Sequence, residues 1–380
     1  MNITLVLKAT FSEAIPVYST ALVLADLGHS LRVVCDGCNA DQQGELERRG
    51  VRIDQLHSGD GIGARGIVGK IRRWLRFRRM AWEAIKGGSA DLYWFGSADT
   101  VMALGRGVKS LPYVFLVREL YDTRYFYRFC LGYFMRHARV VIVPERTRGQ
   151  IFRAWYHLRY NPIVIPNKPY HHPRTRKLPI TDQKAAEAFA KIPAGSKIVF
   201  YQGGVSDRRD IKPIARLIEQ IGKPWVLAIQ TRDSSLNDPY YLDLKKNYKF
   251  YPIPFVSVPR HLEVTSNVDV GLVTYTHLQM NNEFCAPNKI WEYSGFGIPM
   301  IANDVMGLMD TVGRYQAGIC PNLDDIDADE LRVAFKRLID EGDQFSANAT
   351  RLFESVDVPA LVTECIETAM RRSTNPATGM

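Results

Sequence analysis

The sequence predicts an α/β chain built from two doubly wound, parallel-sheet domains. Three observations predict it. The chain has 380 residues, and one domain usually holds roughly 100–200. It opens on a strand-helix-strand pattern. A second alternation of the same kind begins near residue 198.

In the opening pattern, residues 3–7 form a short apolar run rich in β-branched side chains. Residues 12–27 carry apolar side chains at helical spacing, Gly28 is a stop signal, and residues 31–35 form the next apolar run. A helix between two such runs argues for a parallel sheet. Further strands are expected at 92–95, 113–117, 140–143 and 163–165. Pro166, Pro169 and Pro173 mark residues 166–178 as an interdomain linker. The second alternation then runs through strands at 198–201, 225–229, 268–273 and 300–302, with a helix at 213–221. A helix at 359–371 closes the chain, and Ser373, Asn375, Pro376 and Gly379 read as a frayed end. The expected division is 1–168, a linker at 169–185, a second domain at 186–356, and a helix and tail at 357–380. That last helix can pack back on the N-terminal domain.

Hydrophobic residues make up 46% of the chain and charged residues 23%, which excludes a disordered, collagenous or coiled-coil protein. No apolar run approaches the ~20 residues that cross a bilayer. Residues 1–8 lack a basic region and read as a first strand, not a signal peptide. Six cysteines make no disulfide framework. Cys35 and Cys38 form a C-x-x-C without a second pair, and the plainer reading is a strand end running into a loop. A reduced, cytoplasmic protein fits best.

The net charge of +9 is unevenly spread. Between Gly63 and Gly88 stand eight basic residues (Arg65, Lys70, Arg72, Arg73, Arg76, Arg78, Arg79, Lys86) and one acid, Glu83. Ile67, Ile71, Trp74, Leu75, Trp82 and Ile85 recur among them at helical spacing. A basic helix with tryptophan at its apolar edge suits an anionic membrane surface or a polyanionic ligand. The plain alternative is a helix packed on its own domain with solvated arginines, and the two are compatible. No nucleic-acid-binding motif is present, so nucleic acid is not an expected partner.

Two motifs in the second half carry chemistry. Tyr201-Gln202-Gly203-Gly204-Val205-Ser206-Asp207-Arg208-Arg209 follows a strand and precedes a helix. Two glycines let the backbone approach a ligand, and the coming helix amides with Arg208 and Arg209 suit a diphosphate. The plain alternative is a β-α turn with surface arginines. No G-x-G-x-x-G or Walker sequence occurs. The second motif spans residues 282–301. Pro287 suits a first helical turn, Ile290 and Tyr293 can pack inward, and Lys289 and Glu292 share a helix that Gly295 and Gly297 close. A helical carboxylate can accept two sugar hydroxyls. The alternative is a surface helix with a Lys–Glu pair.

This segment resembles the nucleotide-sugar signature of retaining GT-B glycosyltransferases, the large bacterial polysaccharide and lipopolysaccharide family (glycosyl transferases group 1, family 4-like). Pro287, Lys289, Glu292, Tyr293, Gly297 and Pro299 match its pattern in order and spacing. The Tyr201–Gly204 turn with its arginine and the Pro166-Asn167 pair are also similar to the family. The resemblance implies the GT-B fold, two Rossmann-like domains facing across a cleft. It implies that Glu292 holds the donor ribose, that Arg209 with Arg208 or Lys289 neutralises the diphosphate, and that Gly203 and Gly204 admit it. Glu283, Phe284, Cys285, Ala286, Pro287 and Asn288 would line the donor sugar or its phosphates, and residues 255–259 would border the base.

Departures from the family pattern are specific. Phe284 stands where the first of two family glutamates falls, with Glu283, Asn281 and Asn282 beside it. Lys8 to Glu13 replaces a glycine-bearing first loop. Arg118 stands where a histidine is usual, followed by Glu119 and Asp122. Arg118 cannot act as a base, but it can stabilise a leaving phosphate, and Glu119 or Asp122 can receive the acceptor's proton. A structural salt-bridge network is the alternative for all three. Glu145 resembles the family's glutamate after the next strand.

The resemblance implies transfer of a sugar from a UDP- or GDP-linked donor to a glycan or lipid-linked saccharide, with retention. The enzyme would work in the cytoplasm or peripherally at the inner membrane face. A nucleotide-sugar epimerase and a non-catalytic partner subunit are the alternatives. No cofactor or metal is expected, and Asp325, Asp327 and Asp329 read as an acidic helix start.

Overall fold

The structure, a computed structural model, describes residues 1–59 and 66–372. Arg65 and the four tail residues named above lie outside the described residues, as does the side chain of Ile67. The chain divides into two compact units, Met1–Tyr170 with the chain from Asp357 onward, and His171–Val356.

In the first unit, β1 (Asn2–Thr10), β2 (Ser30–Gly37), β3 (Arg52–Gln55), β4 (Leu92–Phe95), β5 (Tyr113–Leu116), β6 (Val140–Val143) and β7 (Ile163–Val164) form one sheet in the order β3-β2-β1-β4-β5-β6-β7. Every pairing is parallel. In the second unit, β8 (Lys197–Gln202), β9 (Trp225–Gln230), β10 (Tyr251–Ile253), β11 (Val270–Val273), β12 (Met300–Ala302) and β13 (Gly318–Ile319) run β10-β9-β8-β11-β12-β13, again all parallel. Helices cover both faces of such a sheet, so its strands are continuously apolar. Accordingly β4, β5, β6 and β11 are buried at every position.

Each sheet reverses its strand order once, between β1 and β4 and between β8 and β11. In open α/β sheets, ligands bind outside the carboxyl ends of the strands at this point. The second reversal therefore places the turn after β8 and the segment after β11 at a ligand position within one unit.

The closing helix, Val358–Arg371, begins where Asp357 accepts the Ala360 amide at 3.0 Å, with Pro359 in its first turn. It packs against the helix Ile15–Asp26 and β6. Beyond it the Arg372 guanidinium lies 3.7 Å from the Tyr160 ring centre and donates to the Arg139 carbonyl. The segment 171–180 is bound to the second unit. His172 Nε2 donates to the Glu292 carbonyl at 3.0 Å, and Arg174 Nε to the Gly295 carbonyl at 2.9 Å. Arg176 donates to the carbonyls of Ser266 and Val268. A helix, Gln183–Phe189, begins in the last residues of the stretch expected to be linker and runs into the expected second domain.

Arg176 thus donates to two main-chain carbonyls, of which that of Ser266 also accepts the Lys177 amide at 3.0 Å. Arg176→Ala is expected to lower stability by about 1–3 kcal/mol, read as a fall in the denaturation midpoint of the second unit.

Candidate functional site

The turn after β8 is built around a glycine that the backbone requires. Gly203 has φ +133°, a conformation that L side chains avoid, and its amide donates to the Gln230 carbonyl at 2.9 Å. The Tyr201 hydroxyl donates to the Gly204 carbonyl at 2.6 Å and fixes the turn. A Cβ placed on Gly203 would lie 3.5 Å from Lys289 Nζ, and one on Gly204 would lie 3.6 Å from an Arg209 nitrogen. The two cations and the two glycines therefore meet at one place.

Lys289 is the unusual member. It is only 7% exposed, and its Nζ has no hydrogen-bond partner among the described residues. It sits 4.1 Å from the Tyr201 ring centre and 5.8 Å from that of Tyr275, while Arg209 lies 4.9 Å from the Tyr275 ring. Burial pushes the amine well below the ordinary lysine range, and the Arg209 charge adds to this against the opposing pull of Glu292 and Cys285. A buried cation without an acceptor is costly unless an anion completes it. The alternative of a surface Lys–Glu pair does not hold, because Lys289, Ile290, Trp291, Glu292, Tyr293 and Ser294 are all buried.

The helix expected to present its amides after Arg209 does not do so. The chain makes a short turn at Asp207–Arg209, and the helix starts at Lys212. Its leading amides are already taken: Ile211 donates to the Tyr240 hydroxyl at 2.8 Å, and Lys212 to Asp210 at 3.0 Å. The anion-attracting groups here are side-chain cations. Arg208 is exposed, and its carbonyl accepts from the Thr276 amide at 3.2 Å, which ties the turn to the segment after β11.

Glu292 lies deeper, 4% exposed. One carboxylate oxygen hydrogen-bonds with His261 Nε2 at 3.1 Å, and the other accepts from Gln202 Nε2 at 2.5 Å. Gln202 in turn accepts from the Thr265 hydroxyl at 2.7 Å. The structure brings Glu292 to the carboxyl end of β8, beside the glycine turn. Its carboxylate also knits β8, the helix His261–Thr265 and the helix Asn288–Ser294 together.

The stretch 283–287 is held by close backbone packing. A Cβ on Gly307 would lie 2.2 Å from the Cys285 carbonyl oxygen, so only glycine fits there. Pro287 occupies the position before the helix rather than its first turn. Glu283 is engaged with its own unit. Its Oε2 meets His277 Nδ1 at 2.8 Å, and its Oε1 accepts the Met306 amide at 3.1 Å. His277 Nε2 meets Asp304 at 2.8 Å. The two ring nitrogens point away from each other, so this trio cannot converge on one ion. Among the described residues no group of three or more His, Cys, Asp or Glu is placed to hold a metal. Phe255 is exposed and carries the Arg232 guanidinium 5.3 Å from its ring centre.

In the first unit, Arg118, Glu119 and Asp122 follow β5 in a loop where Tyr121 has φ +57°. Arg148, nearly fully buried, donates to the Arg118 carbonyl and stands 3.9 Å from Glu119. Glu145 does not project as an open carboxylate. It caps the helix Arg146–Tyr156, accepting from the Thr147 and Arg148 amides at 2.5 and 2.9 Å. The Glu145 expectation is therefore corrected: its chemistry is that of a helix cap. Gln202, His261, Thr265, His277 and Asp304 join the site only through the fold and are not singled out as site residues by the sequence pattern. Gln202 adjoins the glycine pair, a signal that was available. The two histidines carried no signal of spacing.

No family model matches the sequence, and no curated protein matches it. Solved structures do match in shape. HepE from Anabaena, in complex with UDP-glucose, superposes with a TM-score of 0.68 at 14% identity, covering 98% of this chain and 100% of that one. The chain has the GT-B fold. Sucrose-phosphate synthase from Thermosynechococcus elongatus gives a TM-score of 0.69 at 15% identity over 98% and 100% of the two chains. A glycosyltransferase from Rickettsia africae gives 0.64 at 12% identity over 98% and 99%. The likeness extends over both Rossmann-like units, and at these identities it establishes the fold.

Two measurements follow from the geometry. Glu292→Ala leaves Gln202 and His261 without their buried acceptor and is expected to cost about 1–3 kcal/mol of stability, seen in chemical denaturation. His277 titrates in the opposite sense to most acids. Burial lowers its pKa, but the hydrogen bonds and charges of Asp304 and Glu283 outweigh that and raise it above 6.5. Its contribution is complete below about pH 6.5 and is lost as pH rises through the raised value. The melting-temperature gap between the native chain and His277→Gln should therefore shrink as pH rises from about 6 to about 9.

Proposed function

We propose that this chain is a glycosyltransferase that takes its sugar from a nucleoside-diphosphate donor held by the second unit. The observation that carries the reading is the buried Lys289 amine, without a hydrogen-bond partner among the described residues, beside Gly203, Gly204 and Arg209 at the carboxyl edge of β8 and β11. Two cations at a glycine turn suit the two adjacent negative groups of a diphosphate. The GT-B neighbour solved with UDP-glucose supports the same donor class.

Breaking a sugar–phosphate bond puts negative charge on the departing diphosphate, and fixed cations there lower the barrier most. In the proposed reaction the anomeric carbon–phosphate oxygen bond breaks and a bond to the acceptor hydroxyl oxygen forms on the same face. The hydroxyl proton passes to the departing phosphate, so no protein nucleophile is needed. Arg209 and Lys289 hold the charge that develops. Residues 284–287, fixed against Gly307, flank the donor sugar. Phe255 with Arg232 offers a flat edge to the base. Glu292 offers its remaining lone pairs to the ribose while fixing Gln202 and His261. Arg118, Glu119 and Asp122 remain the acceptor-side candidates of the first unit. The acceptor class that fits best is a lipid-linked saccharide met at the inner face of the membrane, a reading supported by the basic helix Gly66–Lys86.

Nucleoside diphosphates are expected to raise the melting temperature, since a ligand of the folded state stabilises it. Lys289→Met should remove that shift while leaving the ligand-free protein about 1 kcal/mol more stable, a buried polar group having been replaced by an apolar one. Binding should also take up a proton, because phosphates restore the charge that burial removes from the amine. Calorimetry in buffers of different ionisation heat reads this uptake, and affinity should fall as pH rises. If Lys289→Met binds UDP and GDP as the native chain does, the reading fails. Incubation with donor alone, followed by product analysis, separates transfer from epimerisation.

A further inference from the structure

The helix Gly66–Lys86 has two unlike sides. Phe77, Ala81 and Ile85 are buried in the first unit. Val68, Ile71 and Leu75 point outward and are each more than half exposed, interleaved with the exposed Arg72, Arg78 and Arg79. A second helix, Tyr125–His137, buries Leu131, Phe134 and Met135. Its outer side shows Tyr125 at 79%, Phe126 at 66% and Phe129 at 87% exposure. The helix Ala98–Leu104 packs against both.

Six of the nine large hydrophobic residues exposed among the described residues of the first unit therefore lie on these two helices. Scattered single apolar residues need no partner, but a cluster of exposed aromatic and aliphatic side chains among mostly basic residues marks an interface, and Glu83, 3.9 Å from Arg79, is the one acid on the helix Gly66–Lys86. Both helices follow strands of a parallel sheet and so begin at its carboxyl edge, the edge that carries Arg118, Glu119 and Asp122.

We propose that the outer faces of these two helices form one surface that seats on an anionic lipid bilayer, with Tyr125, Phe126 and Phe129 entering the headgroup boundary and Arg72, Arg78 and Arg79 meeting lipid phosphates. Charge selects this occupant. A second copy of the same face would set arginine against arginine. A nucleic acid has no use for Val68, Ile71 and Leu75. Aliphatic and aromatic side chains between arginines match the layered chemistry of a membrane boundary. No helix of the described residues is long and apolar enough to cross a membrane, so the attachment is to one leaflet. The inference rests on the lipid-linked acceptor reading for its purpose, but the surface stands on its own residues.

The test is co-sedimentation of the full chain with vesicles of phosphatidylcholine alone and of phosphatidylcholine mixed with phosphatidylglycerol, at low and high salt, without donor or acceptor. The native chain should bind only the mixed vesicles and keep a salt-resistant fraction. Arg72→Ser with Arg78→Ser and Arg79→Ser should weaken binding at least tenfold. Phe126→Ser with Phe129→Ser should keep low-salt binding and lose the salt-resistant fraction. Equal binding to both vesicle types, or an aromatic variant that behaves as the native chain, overturns the proposal. So does a self-associated species in sedimentation velocity that the aromatic variant abolishes. The UDP melting shift, measured on the same proteins, reports separately on the donor reading.

Discussion

A single buried amine organises the second unit. Lys289 Nζ lies under the Gly203 turn with aromatic rings on its flanks and no acceptor among the described residues. Two aromatic faces soften the loss of water, since a cation over a ring gains about 0.5–2 kcal/mol. They do not replace an anion. Around this group the chain places Arg209, a turn that only glycine can make, and a backbone stretch packed against Gly307. On the donor reading proposed above, an anion at that point gives the glycine pair and the buried lysine a common cause.

The carboxylate beneath it has a different duty. Glu292 ends a chain of hydrogen bonds through Gln202 to Thr265, and a second through His261. These bonds tie the carboxylate to β8 and to the helix His261–Thr265, while His261 Nδ1 has no hydrogen-bond partner among the described residues. The Lys289 amine has no hydrogen-bond partner among the described residues, while the carboxylate three residues on is held by Gln202 and His261. Around the rim, His277 joins the exits of β11 and β12 through Glu283 and Asp304.

Much of the architecture was legible because buried parallel strands are continuous apolar runs. The runs at 92–95, 140–143 and 300–302 coincide with β4, β6 and β12. β3 escaped because Arg52, Asp54 and Gln55 leave it one apolar residue, as an edge strand allows. β10 carries Pro252, and β13 has two residues, so neither gives a period. At the site, glycines, cations and carboxylate were visible as residue types at a spacing. What they touch was not. Whether the amides before Pro213 were open depended on Tyr240, twenty-nine positions beyond Ile211. Glu145 looked like a carboxylate after a strand, and only the helix behind it shows that two amides claim it.

The meeting of Gly307 with Cys285 has an evolutionary consequence. With main chain against main chain at that point, the floor beneath residues 283–287 has no side chain to enlarge or trim. If these residues flank a donor sugar as proposed, a lineage adapting to a bulkier or smaller sugar would vary the side chains of residues 279–282, while the glycine beneath stays fixed.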